Sequence, residues 1–252
     1  MTPANSGLAN RTAIVTGAGS GIGRATARAL ADQGCRVLAV GRTQARLTGT
    51  AGDRDTIRPY PIDITAPGAA AQVIDTVGRE FGGLDILINN AGVVDQTPIG
   101  GIDPTVLQRH LAVNLIAPIA LTQQALPLLE AAHGTVVNVS TAVGQRGWVP
   151  MSSYGASKAA LDFLTRTWAV ELAPRGIRVV AVAPGPINTP MLANNDYGEA
   201  DTAEMHKNLG RVPLGRPGRP EEVAWWIVNM VRPEAGFVTG VVLPVDGGYS
   251  VA

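Results

Sequence analysis

The chain has 252 residues, with 20 Lys and Arg balancing 20 Asp and Glu to a formal net charge of zero. That balance excludes the basic stripe of a nucleic-acid binder, and 30 glycines with 18 prolines stay below the about 25–30% of low-complexity chains. At 46% apolar and only 4% aromatic, the core must be built from Ala, Val, Leu and Ile, in a chain long enough to need no disulfide or structural metal.

Residues 1–12 carry neither a basic start nor an apolar run, so no signal peptide is expected. Short β-branched runs then alternate with longer alanine-rich stretches. Strands are predicted at 12–16, 36–40, 57–61, 84–88, 135–140, 177–182 and 238–243. Helices are predicted near 21–34, 67–81, 103–132, 152–173 and 219–231. Short strands separated by helices of ten or more residues mean right-handed crossovers and a parallel sheet. The strands are apolar throughout, as both faces of such a sheet are covered. The expected fold is α/β: one Rossmann-like, doubly wound domain spanning 1–252, with about seven parallel strands flanked by helices. No apolar run approaches the ~20 residues of a membrane span, so no membrane partner is expected. Cys35, the only cysteine, predicts a small buried residue in a reducing compartment, hence a cytoplasmic protein. His110, His133 and His206 share no ligand-like spacing, so no metal site is expected. The least regular segment, 186–220, contains five prolines with Met191, Leu192, Tyr197 and Met205, and is expected to be a substrate-binding loop or lid.

After the first strand, Thr16-Gly17-Ala18-Gly19-Ser20-Gly21-Ile22-Gly23 runs directly into a helix. Such glycines let the backbone approach a pyrophosphate, whose charge is favoured by the free N–H groups and dipole of the helix start. Ile22 stands where G-x-G-x-x-G would have its third glycine, and the lysine of a triphosphate loop is absent.

With Asn89-Asn90-Ala91-Gly92 after the fourth strand, Asn114, Tyr154-x-x-x-Lys158, Pro184-Gly185 and Asp246-Gly247-Gly248, this signature resembles the short-chain dehydrogenase/reductase family. The resemblance runs from about residue 8 to near the end. It implies a nicotinamide-dependent oxidoreductase interconverting a ketone and a secondary alcohol by hydride transfer. Gly17, Ser20, Gly21, Ile22 and Gly23 then hold the pyrophosphate side of the cofactor. Asn90, Ala91, Gly92, Val113, Tyr154 and Lys158 line it, Asp63 and Ile64 contact the adenine, and Pro184, Gly185, Ile187 and Thr189 hold the carboxamide end.

The chemistry of Tyr154 and Lys158 also stands by itself. Four residues apart in a helix, they share one face. A tyrosine with an ordinary pKa near ~10 is a poor acid–base group at neutral pH, and a nearby ammonium favours its phenolate. Tyr154 is therefore the expected general acid in reduction and base in oxidation. The family's usual third member, a serine thirteen residues earlier, is here Thr141, whose hydroxyl can make the same hydrogen bond with stiffer geometry. Thr141 is favoured over Ser140, which is expected to line the cofactor. Asn114 is implied to hold a water linking Lys158 to solvent, although an asparagine here could instead satisfy backbone at a kink near Pro118.

Nicotinamide-binding folds place an acid about twenty residues past the glycine turn when they bind the ribose 2′-hydroxyl. Here the region reads Val40-Gly41-Arg42-Thr43 without one, and Arg42 can pair with a 2′-phosphate. NADP is the expected cofactor, with NAD the alternative. Val93, Val94, Gln145, Trp148, Val149, Met151, Met191 and Leu192 are candidate substrate contacts, mostly apolar, which points to a neutral ketone. Arg146 could instead clamp a carboxylate. A 3-oxoacyl thioester, a cyclic ketone and a polyol all remain open, and a catalytically silent dinucleotide sensor is the alternative class. Trp225, Trp226, Met230 and the apolar tail 241–245 predict a homotetramer.

Overall fold

Strand and helix alternate as the hydrophobic pattern requires. The computed structural model describes residues 7–145, 147–193 and 210–252, and the side chains of Gln145, Leu192 and Ala193 lie outside that description. Arg146, Tyr197, Met205 and His206 therefore lie outside the described residues. The first half comprises β1 (Thr12–Thr16), α1 (Gly21–Asp32), β2 (Arg36–Gly41), α2 (Gln44–Ala51), β3 (Ile57–Pro61), α3 (Ala69–Phe81) and β4 (Ile86–Asn89). Next come α4 (Pro104–Leu111), a π-helical stretch (Ala112–Ile116), α5 (Ala117–Ala132), β5 (Thr135–Val139) and α6 (Ser152–Leu172). Closing the chain are β6 (Arg178–Pro184), a single turn α7 (Pro190–Ala193), α8 (Pro220–Met230) and β7 (Val242–Val245).

The strands form one parallel sheet in the order β3-β2-β1-β4-β5-β6-β7. The order reverses between β1 and β4, and ligands of such sheets bind beyond the strand carboxyl ends at that switch point. Side-chain alternation divides the core into two layers. Ala13 and Val15 of β1 join Leu30 of α1 and Ile227 of α8 on one face, while Ile14 joins Val73 of α3 with Leu121 and Leu129 of α5 on the other. Leu30, Leu121 and Leu129 are almost solvent-free, each worth about 1.5–3 kcal/mol of burial. Cys35 is also buried, its Sγ 3.3 Å from the Leu8 carbonyl, and burial pushes its thiol up to about 12. It is an inert core residue.

Three departures from the sequence reading have local causes. Strand β4 starts at Ile86 rather than 84 because Asp85 serves β1 instead, its carboxylate accepting from the Thr12 N–H at 2.8 Å. Strand β7 starts at Val242 rather than 238 because Gly240 turns with φ +71° and donates to the Val179 carbonyl. Helix α2 escapes the pattern because its eight residues bury only Leu47, Thr50 and Ala51. The joined helices Pro104–Ala132 are long and apolar enough, by length and composition, to cross a membrane. Leu121, Ala125 and Leu129 face the core, and about a third of the most apolar stretch (33%) is buried.

Candidate active site

The glycine turn is built by its neighbours. The Thr16 hydroxyl donates to the Ile88 carbonyl at 3.2 Å and accepts the N–H groups of Asn90 and Ala91 at 2.9 and 3.0 Å. Asn90 Nδ2 returns a bond to the Thr16 carbonyl at 2.7 Å, locking the loop after β4 onto the turn after β1. A Cβ at Gly17, which has φ +65°, would lie 2.8 Å from Asn90 Nδ2, and one at Gly23 would lie 2.4 Å from the Gly17 carbonyl oxygen. Side chains are thus excluded from a close-packed turn opening onto the start of α1. Ser20 is the extended residue before α1, with no side-chain capping bond, and Ile22 packs toward the core. Thr189, in the loop after β6, reaches this turn, its Cγ2 3.1 Å from where a Gly21 Cβ would sit.

Tyr154 and Lys158 occupy successive turns of α6, both buried. Lys158 Nζ donates to the Val139 carbonyl at 2.8 Å, and a Cβ at Gly92 would stand 3.6 Å from Nζ, which places the loop after β4 in contact with the ammonium. Burial pushes the Lys158 ammonium down to about 8, a drop that buried Asp162 one turn on partly opposes. Asn114 sits inside the π-helical stretch, fully buried. Its Oδ1 accepts from the Val93 N–H at 2.9 Å, while Nδ2 donates to the Val93 carbonyl at 3.0 Å and to Ser157 Oγ at 3.1 Å. The amide thus satisfies backbone, and the structure brings Asn114, Ser157 and the Lys158 turn together. Val113 is half-buried beside it. Pro118 has no N–H, so the Asn114 carbonyl cannot receive the ordinary bond from four residues on.

Ser140 and Thr141 follow β5, both buried. Thr141 Oγ1 makes two long contacts, donating to the Pro184 carbonyl and accepting from the Val143 N–H, each at 3.4 Å. Ser140 faces α6, with Oγ 3.5 Å from the Lys158 carbonyl and a bond to Asp162, whose carboxyl burial drives upward. Gly185 lies against Asp246, where a Cβ would come within 2.7 Å of the aspartate Cβ. Ile187 pairs with Gly218, and Asn188 N–H donates to the Gly218 carbonyl at 2.9 Å. The two ends of the expected lid are therefore paired with each other; 194–209 lie outside the described residues.

Val94 is buried, Val93, Trp148 and Met151 are half-buried, Met191 is more exposed, and Val149 is 83% exposed. Sequence reasoning missed the partners of Trp148: Tyr249, its ring 4.6 Å away, and Val212. It also missed a buried amide ladder in which Asn89 donates to Asn138 at 2.9 Å and Asn138 to Thr165 of α6 at 2.9 Å. Buried polar residues on successive strands, at 89 and 138, are the signal that could have found it.

At the end of β2, Arg42 is exposed and follows half-buried Gly41. Asp63 is held below the usual carboxylate range chiefly by the Thr65 hydroxyl and N–H, which donate to its Oδ1 at 2.7 and 2.9 Å, with a smaller contribution from the Arg42 charge. Ile64 packs against the core. The start of α2 brings a second cation unread from sequence: Arg46 Cβ lies 3.1 Å from the place of a Gly19 Cβ.

Residues 17–250 match a family model described as enoyl-(acyl carrier protein) reductase. The chain is 36% identical to a Thermotoga maritima 3-oxoacyl-[acyl-carrier-protein] reductase, covering 97% of this chain and 99% of that protein. It is 40% identical to a Sinomonas cyclohexanicum cis-4-hydroxycyclohexanecarboxylate dehydrogenase, with 96% and 98% covered. Human L-xylulose reductase is 38% identical, with 96% and 97% covered. Among solved structures, a Caenorhabditis elegans short-chain dehydrogenase/reductase of unknown function with cofactor superposes at a TM-score of 0.89 and 30% identity, covering 98% of this chain and 97% of that one.

Proposed function

The chain belongs to the short-chain dehydrogenase/reductase family, and from that premise we propose that it is an NADP-preferring ketoreductase acting through Tyr154. The single observation that carries this is buried Tyr154 and Lys158, with Lys158 against the loop after β4 that also packs on a turn where only glycine fits at 17 and 23. The residues fit a dinucleotide: Gly17 and Gly23 keep the turn free of a Cβ where one would clash, α1 starts beside it, and Lys158 Nζ lies against the loop after β4 at Gly92. When bound, the nicotinamide supplies or accepts the hydride, which no side chain here can do.

The chain's own residues manage the proton. Tyr154 donates its hydroxyl proton to the carbonyl oxygen in reduction and withdraws it in oxidation. The Lys158 ammonium stabilises the phenolate that results, most strongly in a site from which water is excluded. Thr141 polarises the same substrate oxygen. The Asn114 carbonyl, left without its helical partner by Pro118, is the acceptor for a water that returns the proton from solvent to Lys158. Half-buried Trp148, Met151 and Val93 favour a neutral ketone, a 3-oxoacyl or small cyclic one, and the relatives named for such substrates support the same class. Turnover of NADPH across a ketone panel tests the proposal, and cofactor binding with no turnover on any ketone would favour the silent sensor.

Position 141 separates two assignments. Thr141→Ser stays active, whereas Thr141→Ala loses about 10²–10³-fold in kcat, the scale of one lost donor to a developing oxyanion. Ser140→Ala is milder. Steady-state kinetics on the three variants decides it, and a more damaging Ser140→Ala would move the role to Ser140.

We further propose a homotetramer. Ile116 beside α5, Phe163 and Val170 of α6, and Trp225 of α8 are 57%, 66%, 78% and 57% exposed, and Trp226 is 39% exposed. These are costly apolar faces for a lone chain. Strand β7 is also the outermost strand at its end of the sheet. Light scattering at micromolar concentration should give a mass about four times that of the chain; a monomer would overturn the proposal.

A further inference from the structure

A buried histidine that the proposed proton chemistry does not use lies against the tyrosine that it does. His110, at the end of α4, is fully buried. Its Nδ1 is 2.7 Å from Ser153 Oγ, the residue preceding Tyr154 in the first turn of α6. Its ring stands edge-on to the Tyr154 ring, with centroids 6.1 Å apart and planes inclined 64°. On the other side Nε2 is 3.1 Å from Asp95 Oδ2, and Asp95 is paired outward with Arg109. Thr97, from the same loop after β4, accepts the Ser153 backbone N–H at 3.0 Å and lies 3.0 Å from the Ser153 hydroxyl.

These contacts form a second rung parallel to one already described. His110 and Asn114 are four residues apart, as are their partners Ser153 and Ser157. Residues at that spacing share one helix face, so the α4 side meets α6 at two polar rungs that bracket Tyr154. The Thr97 oxygen also satisfies an N–H of the first turn of α6, a group with no intrahelical partner. Ser153 Oγ donates to Thr97 Oγ1 at 3.0 Å, which leaves His110 Nδ1–H to donate to Ser153 Oγ, while Nε2, though 3.1 Å from Asp95 Oδ2, makes no hydrogen bond among the described residues.

We infer that His110 is a positioning residue that fixes Tyr154 by tying the loop after β4, through Ser153, to the first turn of α6. The inference rests on the reading of Tyr154 as the acid–base group. Its physical content is precision: a reacting group misplaced by about 1 Å costs on the order of 10²-fold in rate. Ser153 transmits the position. The contact that matters is therefore the one at Nδ1.

The test uses His110→Phe, His110→Asn, His110→Gln and Ser153→Ala in the full chain, with and without Tyr154→Phe. His110→Phe and Ser153→Ala should each lower kcat by about ten- to a hundredfold, with substrate KM and the NADPH dissociation constant, read by fluorescence, within about threefold. His110→Asn, whose amide nitrogen or oxygen can stand near the position of Nδ1, should recover more kcat than His110→Gln, which reaches toward Asp95. On the Tyr154→Phe background, His110→Phe should change residual turnover by less than about twofold, because groups acting as a unit are not additive. Wild-type kcat in Ser153→Ala, Gln recovering as well as Asn, or full additivity with Tyr154→Phe would each overturn the inference. Should His110→Phe fail to fold, Ser153→Ala and the Asn–Gln pair carry the decision. If Tyr154→Phe alone keeps its turnover, it is the tyrosine reading that falls, and this one with it.

Discussion

Tyr154→Phe should bind cofactor within a few-fold of wild type and lose about 10²–10⁴-fold in turnover, the usual contribution of a general acid–base group. The substitution removes one oxygen and keeps the ring that packs edge-on to His110, so α6 retains its place. Cofactor affinity is insulated because the glycine turn is held by Thr16 and Asn90, not by α6. Lys158 is insulated too, through its 2.8 Å bond to the Val139 carbonyl. What is lost is the proton inventory at the substrate oxygen. Turnover is measured with the best ketone found in the panel, and cofactor binding by fluorescence on the same samples. Residual activity above about a tenth of wild type would remove Tyr154 from the chemistry. Weakened cofactor binding in equal measure would mean that the variant had disturbed the site as a whole.

The parts of the molecule that sequence reveals are those set by backbone geometry and periodicity. Strand β1 falls on 12–16, its predicted place, because its five residues are all buried and bounded by turns, and β3 falls on 57–61 as an edge strand, Ile-Arg-Pro-Tyr-Pro, paired with β2. The glycine turn is legible for a related reason: where Cβ atoms would clash at 2.4 to 2.8 Å, only glycine can stand. What pattern hides is polar and tertiary. The tie of His110 to Ser153 spans 43 residues of chain, and the amide ladder from Asn89 to Asn138 spans 49. Nothing local marks a histidine on α4 as a neighbour of Tyr154. The π-helical stretch is equally silent, since Ala112–Ile116 reads as ordinary helix and only Pro118 hints at a break in the bonding. Likewise Arg46 reaches the glycine turn only because α2, too polar for the pattern, exists.

NADP(H) should exceed NAD(H) by at least about tenfold in kcat/KM, and Gly41→Asp should invert that order. A 2′-phosphate carries up to two negative charges, and Arg42 is exposed at the end of β2 with no hydrogen bond or ion pair holding its side chain among the described residues. A hydrogen bond to a charged group contributes about 1.5–3 kcal/mol, and about 1.4 kcal/mol is tenfold in affinity. Asp63 draws on the same cation, but its Oδ1 is already committed to Thr65, so the guanidinium keeps donors for a ligand. The eight-residue helix α2 begins directly after Thr43, adding free N–H groups on the same side. Aspartate at position 41 is sterically mild. Its Cβ would meet Leu47 Cδ2 at 3.3 Å, which a side-chain end can yield, and would stand 3.9 Å from the Gly19 nitrogen. The carboxylate would then oppose a 2′-phosphate and accept from ribose hydroxyls in NAD(H). Kinetics with both cofactors on wild type and Gly41→Asp measure both halves of the argument. A wild-type preference for NAD(H) would reduce Arg42 to a solvated charge before α2, while leaving the hydride-transfer reading on Tyr154, Lys158 and the glycine turn untouched. A variant that loses both cofactors equally would mean that the β2 end shapes the cleft without choosing between them.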